Sequence, residues 1–187
     1  MNNKITIRLA KLKDAQLLLK IHNHSVKNGF FNSKKLVIFK DHIIWLKNKI
    51  KFSSSKIYIG QNNKNFFFGN VRFDEVKNNT FEVSIGNLPN FIGKGFGFLI
   101  LEKSLKKFIK TCSPKKIICV VKKNNVRSSR CFLKNEFLKK KFNPKKHFTI
   151  NKFNSKKEDY FEHHKDSIKI KKTSINKKPP KLSFRGF

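Results

Sequence analysis

Ile92-Gly93-Lys94-Gly95-Phe96-Gly97 is the stretch that decides the fold. Before it, Thr80-Phe81-Glu82-Val83-Ser84-Ile85 alternates like a strand, with Glu82, Ser84 and Gly86 on one side and Phe81, Val83 and Ile85 on the other. After it, Phe98 to Ile109 carries apolar residues at helical spacing. The segment therefore reads as strand, tight loop and helix. Three alternate glycines remove side chains where a backbone must approach something closely. The helix start adds unpaired N–H groups and the positive end of its dipole. Together they make an anion seat suited to a pyrophosphate. A bare G-x-G-x-G loop is equally compatible with an ordinary turn, so it does not decide function alone. A dinucleotide site fits less well: no acidic residue follows at the expected distance and no repeated strand-helix-strand unit surrounds the loop.

Working outward, Ile5-Thr6-Ile7-Arg8-Leu9 alternates as a half-buried strand, and Asp14 opens a helix carrying Ala15, Leu17, Leu18 and Ile21. A second helix is predicted from about Asp41 to Ile50, placing His42 and Trp45 on neighbouring surface positions. Lys56–Gly60 and Phe66–Phe73 form a hairpin that leads through another turn into the central strand. Gly86 and Pro89 break the pairing where that strand ends. Beyond the central helix, Ser113-Pro114 stops regular structure, and Ile117-Ile118-Cys119-Val120-Val121 reads as a strand covered on both faces. His147–Phe153 is expected to be the last strand. From Ser155 the chain turns polar and basic. Tyr160–His164 reads as a short helix, and Lys177-Lys178-Pro179-Pro180-Lys181 cannot fold alone.

The glycine loop resembles the acetyl-CoA loop of the GCN5-related N-acetyltransferases, R/Q-x-x-G-x-G/A. Gly95 and Gly97 match it, while Ile92 takes the place of Arg or Gln. Without a polar side chain at Ile92, the seat would rest on backbone N–H groups and Lys94. A second signature of that family, N-x-x-S-x-x-x-Y/F-x-K-x-G-F, is matched by Asn125, Ser128, Phe132, Lys134 and Phe137, with Glu136 where glycine is usual. The two motifs stand in the right order, separated by one helix and one strand.

The resemblance covers about residues 4 to 153. It implies an α/β (α+β) fold: a mixed, mostly antiparallel sheet of about six to seven strands, splayed between strands 4 and 5, with about four flanking helices. An acetyltransferase domain over 1–154 would be followed by a basic polar tail over 155–187. Acetyl-CoA is the implied co-substrate. Its contacts would come from Asn87, Leu88, Ile92, Gly93, Lys94, Gly95, Phe96 and Gly97, and from Asn125, Ser128 and Phe132. Backbone groups near Asn87 and Leu88 would pair with the pantetheine arm like an added strand. The Asn125 side chain would bond the thioester or a pantetheine amide.

Asn23, followed by Val26-Lys27 and then His42-x-x-Trp45, resembles the subgroup that acetylates amino sugars on nucleotide carriers, including the enzyme of pseudaminic acid biosynthesis. Acceptor-side candidates are accordingly His22, Asn23, His24, His42 and Trp45, although Trp45 also suits a core anchor. The expected reaction is acetyl transfer to the amino group of a UDP-linked deoxy amino sugar. Acetylation of ribosomal proteins or peptides is the alternative. Glu82 is the best-placed carboxylate for a base, a structural salt bridge being an equal alternative; His22, His24 or His42 could serve instead. Phe132, where many members carry tyrosine, cannot protonate the departing thiolate.

At 187 residues and 38% hydrophobic content the chain suits one domain with a tail, and its 21 phenylalanines supply large apolar surfaces. The net charge of +33 invites a nucleic-acid reading. The lysines, however, spread along the whole chain, and Ala10 and Ala15 are the only alanines, a bias an AT-rich genome writes into any protein. No basic-aromatic interleaving of a recognised kind appears, so specific nucleic-acid binding ranks third. The expectation is a cytoplasmic monomer or homodimer without metal or membrane attachment. Cys112, Cys119 and Cys131 lack metal-ligand spacing, and His163-His164 lacks a partnering Cys or spaced His.

Overall fold

A computed structural model describes residues 5–30, 35–52, 54–140 and 158–164. Its elements run β1 (Thr6–Leu9), α1 (Ala15–Lys27), α2 (Phe39–Lys51), β2 (Ser55–Gln61), β3 (Phe67–Lys77), β4 (Thr80–Asn87), α3 (Phe96–Cys112), β5 (Lys116–Lys122), α4 (Val126–Lys134), β6 (Leu138–Lys140) and β7 (Glu158–His164). The strands form one seven-stranded sheet in the order β1-β2-β3-β4-β5-β7-β6. Only β4 and β5 pair in parallel; every other neighbour is antiparallel. The mixed sheet with four helices is the architecture expected from the sequence.

Strand alternation divides the core between the two faces. On one face α3 lays Phe96, Ile100, Leu101, Leu105 and Phe108 against Phe73, Phe81, Val83, Ile117 and Cys119. Phe108 stacks flat on Phe73 at 4.0 Å and meets Phe81 edge-on at 4.9 Å. On the other face α1 and α2 contribute Ala15, Leu18, Ile21 and Leu46, which pack on Ile57 and Ile59. Asp14, 3% exposed, joins β1 to α1: Arg8 donates to both its carboxylate oxygens at 2.7 Å, and the Lys11 N–H donates at 2.8 Å.

Two sequence expectations need correction. Tyr160–His164 is not a helix but most of β7, inserted between β5 and β6. The fold therefore extends past residue 154 to at least His164. The strand expected over His147–Phe153 lies outside the described residues, as does the tail beyond 164. Glu162 on β7 is buried because Tyr160 Oη donates to its Oε1 at 2.7 Å and Lys116 Nζ lies 3.0 Å from the same oxygen.

Glu136 stands at φ +66, which explains why glycine is usual there. A left-handed conformation costs a side-chain-bearing residue about 1–2 kcal/mol. Glu136→Gly should stabilise the fold by about 0.5–1 kcal/mol, net of the freedom glycine restores to the unfolded chain. Urea titration checks this, and an unchanged or lower midpoint would contradict it.

Candidate active site

The site begins where the parallel pairing stops. β4 and β5 are in register at Thr80–Lys116, Phe81–Ile117 and Glu82–Ile118, and no further. Beyond Glu82 the strands diverge and open a cleft of about 750 Å³. Val83 and Ile85 line it from the α3 face, while Glu82, Ser84 and Gly86 line it from the α1 face. The cleft therefore runs through the sheet as a slot.

The main-chain groups facing the slot follow from register. The Leu88 N–H donates to Phe68 O at 2.9 Å. Bonded pairs alternate by two in an antiparallel ladder, so even-numbered residues of β4 address β3. Val83, Ile85 and Asn87 turn their main-chain groups the other way, into the slot. This corrects one expectation: Leu88 cannot offer its N–H to a ligand, because β3 already holds it. Leu88 packs instead on the α1–α2 cluster.

At one end of the slot lies the glycine loop. Gly93 and Gly95 have φ of +81 and +82, and a Cβ on either would meet nothing within 4 Å. Gly97 is glycine for a different reason: a Cβ there would lie 2.8 Å from Asn87 Nδ2 and 3.3 Å from Ile85 Cδ1. It lets α3 close onto β4. The N–H of Ile92 is bonded to Pro89 O, but among the described residues the N–H groups of residues 93 to 97 have no main-chain acceptor. Five orphan donors at the start of a 17-residue helix, with open space above two of them, fit a phosphate. The Phe96 side chain stays out of this seat, which uses only the residue's N–H; it is 4% exposed and stacks on Phe68 at 4.4 Å. Lys94 does not line the cleft either.

From the far wall, α4 presents Asn125, Ser128 and Phe132 to the cleft. Asn125 Oδ1 accepts the Ser128 N–H at 3.2 Å, capping the helix, which leaves its amide nitrogen as the group able to donate to a ligand. Phe132, buried against Phe137 and Phe161, forms an apolar stretch of the wall.

The acceptor-side expectation is corrected in four residues, Asn23, His42, Trp45 and His22. Asn23 Nδ2 donates to Val37 O at 2.8 Å and its Oδ1 accepts the Val37 N–H at 3.0 Å. It ties α1 to the chain entering α2 and is occupied. His42 is 5% exposed and packs tilted against Trp45, with ring centroids 5.1 Å apart. Trp45 packs on the second core cluster under Arg72, whose guanidinium lies 5.3 Å from the ring centroid. Neither His42 nor Trp45 lines the cleft, and nor does His22. Burial, with Arg72 nearby, lowers the pKa of His22 and His42, and His22 adds to the lowering at His42. Asn23→Ala should cost about 1–3 kcal/mol of stability by leaving the Val37 groups unpaired. Acetyl-CoA affinity should not move; a large loss of affinity at unchanged melting temperature would return Asn23 to the site.

His24 does line the cleft, as does Glu82. Burial raises the pKa of the Glu82 carboxyl; Arg72 opposes that rise, while Asp74 and Glu158 add to it. Sequence reasoning missed Arg72 and Glu158, both in the lining. Arg72 follows from pairing, since register places it opposite Ser84 and beside Asp74. Glu158 had no local signal, because the segment containing it did not read as a strand. Among the described residues no group of three or more His, Cys, Asp or Glu could hold a metal, and no helix is long and apolar enough to cross a membrane.

No family model and no curated protein matches the sequence. Solved structures do. The spermidine N-acetyltransferase of Vibrio cholerae in complex with CoA and spermine is 14% identical, with a TM-score of 0.74 over 88% of this chain and 98% of that one. The chain has the GCN5-related N-acetyltransferase fold. The Salmonella typhimurium protein yncA, solved with its cofactor acetyl-CoA, is 17% identical with a TM-score of 0.71, covering 86% of this chain and 94% of that one. An N-acetyltransferase from Staphylococcus aureus Mu50 is 18% identical with a TM-score of 0.70, over 86% and 98% respectively. At these identities the likeness is one of fold, and the reading of the site rests on the geometry above.

Proposed function

We propose that the chain is an acetyl-CoA-dependent N-acetyltransferase. The observation that carries this reading is the pairing of a splayed β4–β5 slot with the orphan amides of residues 93 to 97 at its end. The amides would seat the diphosphate, and the pantetheine would run along the main chain of Ile85 and Asn87. Acetyl-CoA supplies an activated acyl group. The chain supplies position, a base and donors.

An alkyl amine is largely an ammonium ion at neutral pH, with a pKa near ~10. Glu82, at the last paired register of β4, takes the proton, and its raised pKa brings it closer to the working pH. The amine nitrogen then forms its bond to the carbonyl carbon while main-chain N–H groups of the slot meet the developing oxyanion. The C–S bond breaks, the new amide nitrogen gives up its second proton to the departing thiolate or to solvent, and a thiol of pKa near ~8.5 needs no strong acid to leave. Phe132 gives it none.

For the acceptor we propose the amino group of a nucleotide-linked deoxy amino sugar, with His24 and Arg72 at the slot as the groups to engage it. Its support is narrower than the sequence suggested, since Asn23, His42 and Trp45 serve the fold. One observation favours a second acceptor class, a cationic amine: Glu82 and Glu158 both face the cleft of a chain with only 11 acidic residues. Thiol release from acetyl-CoA should be followed with UDP-linked 4-amino-deoxy sugars, spermidine and basic peptides in parallel. Turnover only with the sugars supports the first acceptor; turnover only with polyamine or peptide replaces it. No thiol release with any amine would remove the reading.

A further inference from the structure

Arginine is scarce in this chain: of 44 basic residues only five are arginine, the rest being lysine. In such a background an arginine marks a place where a lysine will not do, because a planar guanidinium grips carboxylates and phosphates with two parallel bonds and an ammonium does not. Two of the four described arginines have protein partners. Arg8 is bidentate to Asp14, and Arg72 lies 2.6 Å from Asp74 and over the Trp45 ring. The other two, Arg127 and Arg130, line the cleft and make no hydrogen bond or ion pair with any described residue. They stand one turn apart on α4, with Lys134 one further turn along on the same side.

Opposite them the glycine loop has donors but no cation, since Ile92 is apolar and Lys94 does not face the cleft. Orphan amides carry only partial charge. We infer that Arg127 and Arg130 hold the phosphates of the nucleotide arm of coenzyme A, supplying from α4 the full charge that the loop lacks at Ile92. This rests on the acetyl-transfer reading above and adds a phosphate-binding subsite to it.

Calorimetric titration tests the inference. The double variant Arg127→Gln/Arg130→Gln should weaken CoA binding about tenfold to hundredfold, as expected for loss of charge-assisted hydrogen bonds. A charge-matched control, Lys107→Gln/Lys110→Gln on the exposed side of α3, should change it by no more than about threefold. Arg127→Lys/Arg130→Lys should recover only part of the loss. Thermal melting confirms that each variant is folded, which the exposure of all four positions favours. Dephospho-CoA then locates the contact. An equal loss with it assigns the arginines to the diphosphate, and a vanished loss assigns them to the 3′-phosphate; either result supports the inference. An arginine variant no weaker than the lysine control overturns it while leaving the acetyl-transfer reading intact. A wild-type protein that does not bind CoA overturns both.

Discussion

Glu82→Gln is expected to lower kcat by about a hundredfold or more while making the protein more stable at neutral pH. The rate loss is the usual scale for removing a positioned base. The stability gain follows from the direction of the pKa shift. Burial raises the Glu82 carboxyl above its ordinary value, with Arg72 offsetting only part of the rise. Between the ordinary value and the raised one the folded state keeps a proton that the unfolded state has lost. Stability contributed by this group is therefore complete below the ordinary carboxylate range and is lost as pH rises through the raised pKa. Glutamine has no proton to lose, so its advantage should appear at neutral pH and fade below about pH 4. The rate follows the opposite course. Wild-type activity should fall as pH drops through the raised pKa, because the base must be ionised, and the variant should lack that acid limb. A variant that keeps both the rate and the limb would assign the base elsewhere, with His24 the next group in the cleft.

Gly95→Val should weaken acetyl-CoA binding by about one to two orders of magnitude. Gly95 sits at φ +82, where a β-branched residue is strained, and its Cβ direction is open. Valine would bring both penalties to the seat, disturbing the turn that aims the orphan amides and placing methyl groups over them. Several charge-assisted hydrogen bonds depend on that turn, each worth about tenfold in affinity. Lys94→Ala is the informative partner. Its side chain does not line the cleft, so the change should be about fivefold or less. If Lys94→Ala proved as damaging as Gly95→Val, the seat would be held by a side chain and not by the main chain. Calorimetry on the two variants separates these outcomes.

The legible part of the fold was its periodicity. The helical spacing of the apolar residues between Phe98 and Ile109 announced α3, and the alternation of Glu82, Val83 and Ser84 announced both faces of β4. β7 was not legible because it has no wet face: Tyr160, Phe161, Glu162 and His163 are all buried, so no period of two survives in its polarity. A buried glutamate reads as surface until its partners are known, and Lys116 is 46 positions away. The site divides in the same way. Glycines that need a left-handed backbone can be suspected from local sequence, as at Gly93 and Gly95. The fate of the Leu88 N–H depends on its register with Phe68 on the neighbouring strand. Asn23, His42 and Trp45 had the right spacing for an acceptor pocket, but Val37 and the packing of α2 on the sheet use them first. Polar and aromatic residues at helix spacing serve fold and function equally well, and only the third dimension separates the two.

The most direct test is a crystal structure of the acetyl-CoA complex. The expected density shows diphosphate oxygens within hydrogen-bonding distance of the amides of residues 93 to 97, the pantetheine alongside Ile85 and Asn87, and the thioester in the slot beside Glu82. Density that places the nucleotide away from the glycine loop, or side chains filling the gap between β4 and β5, would contradict the account.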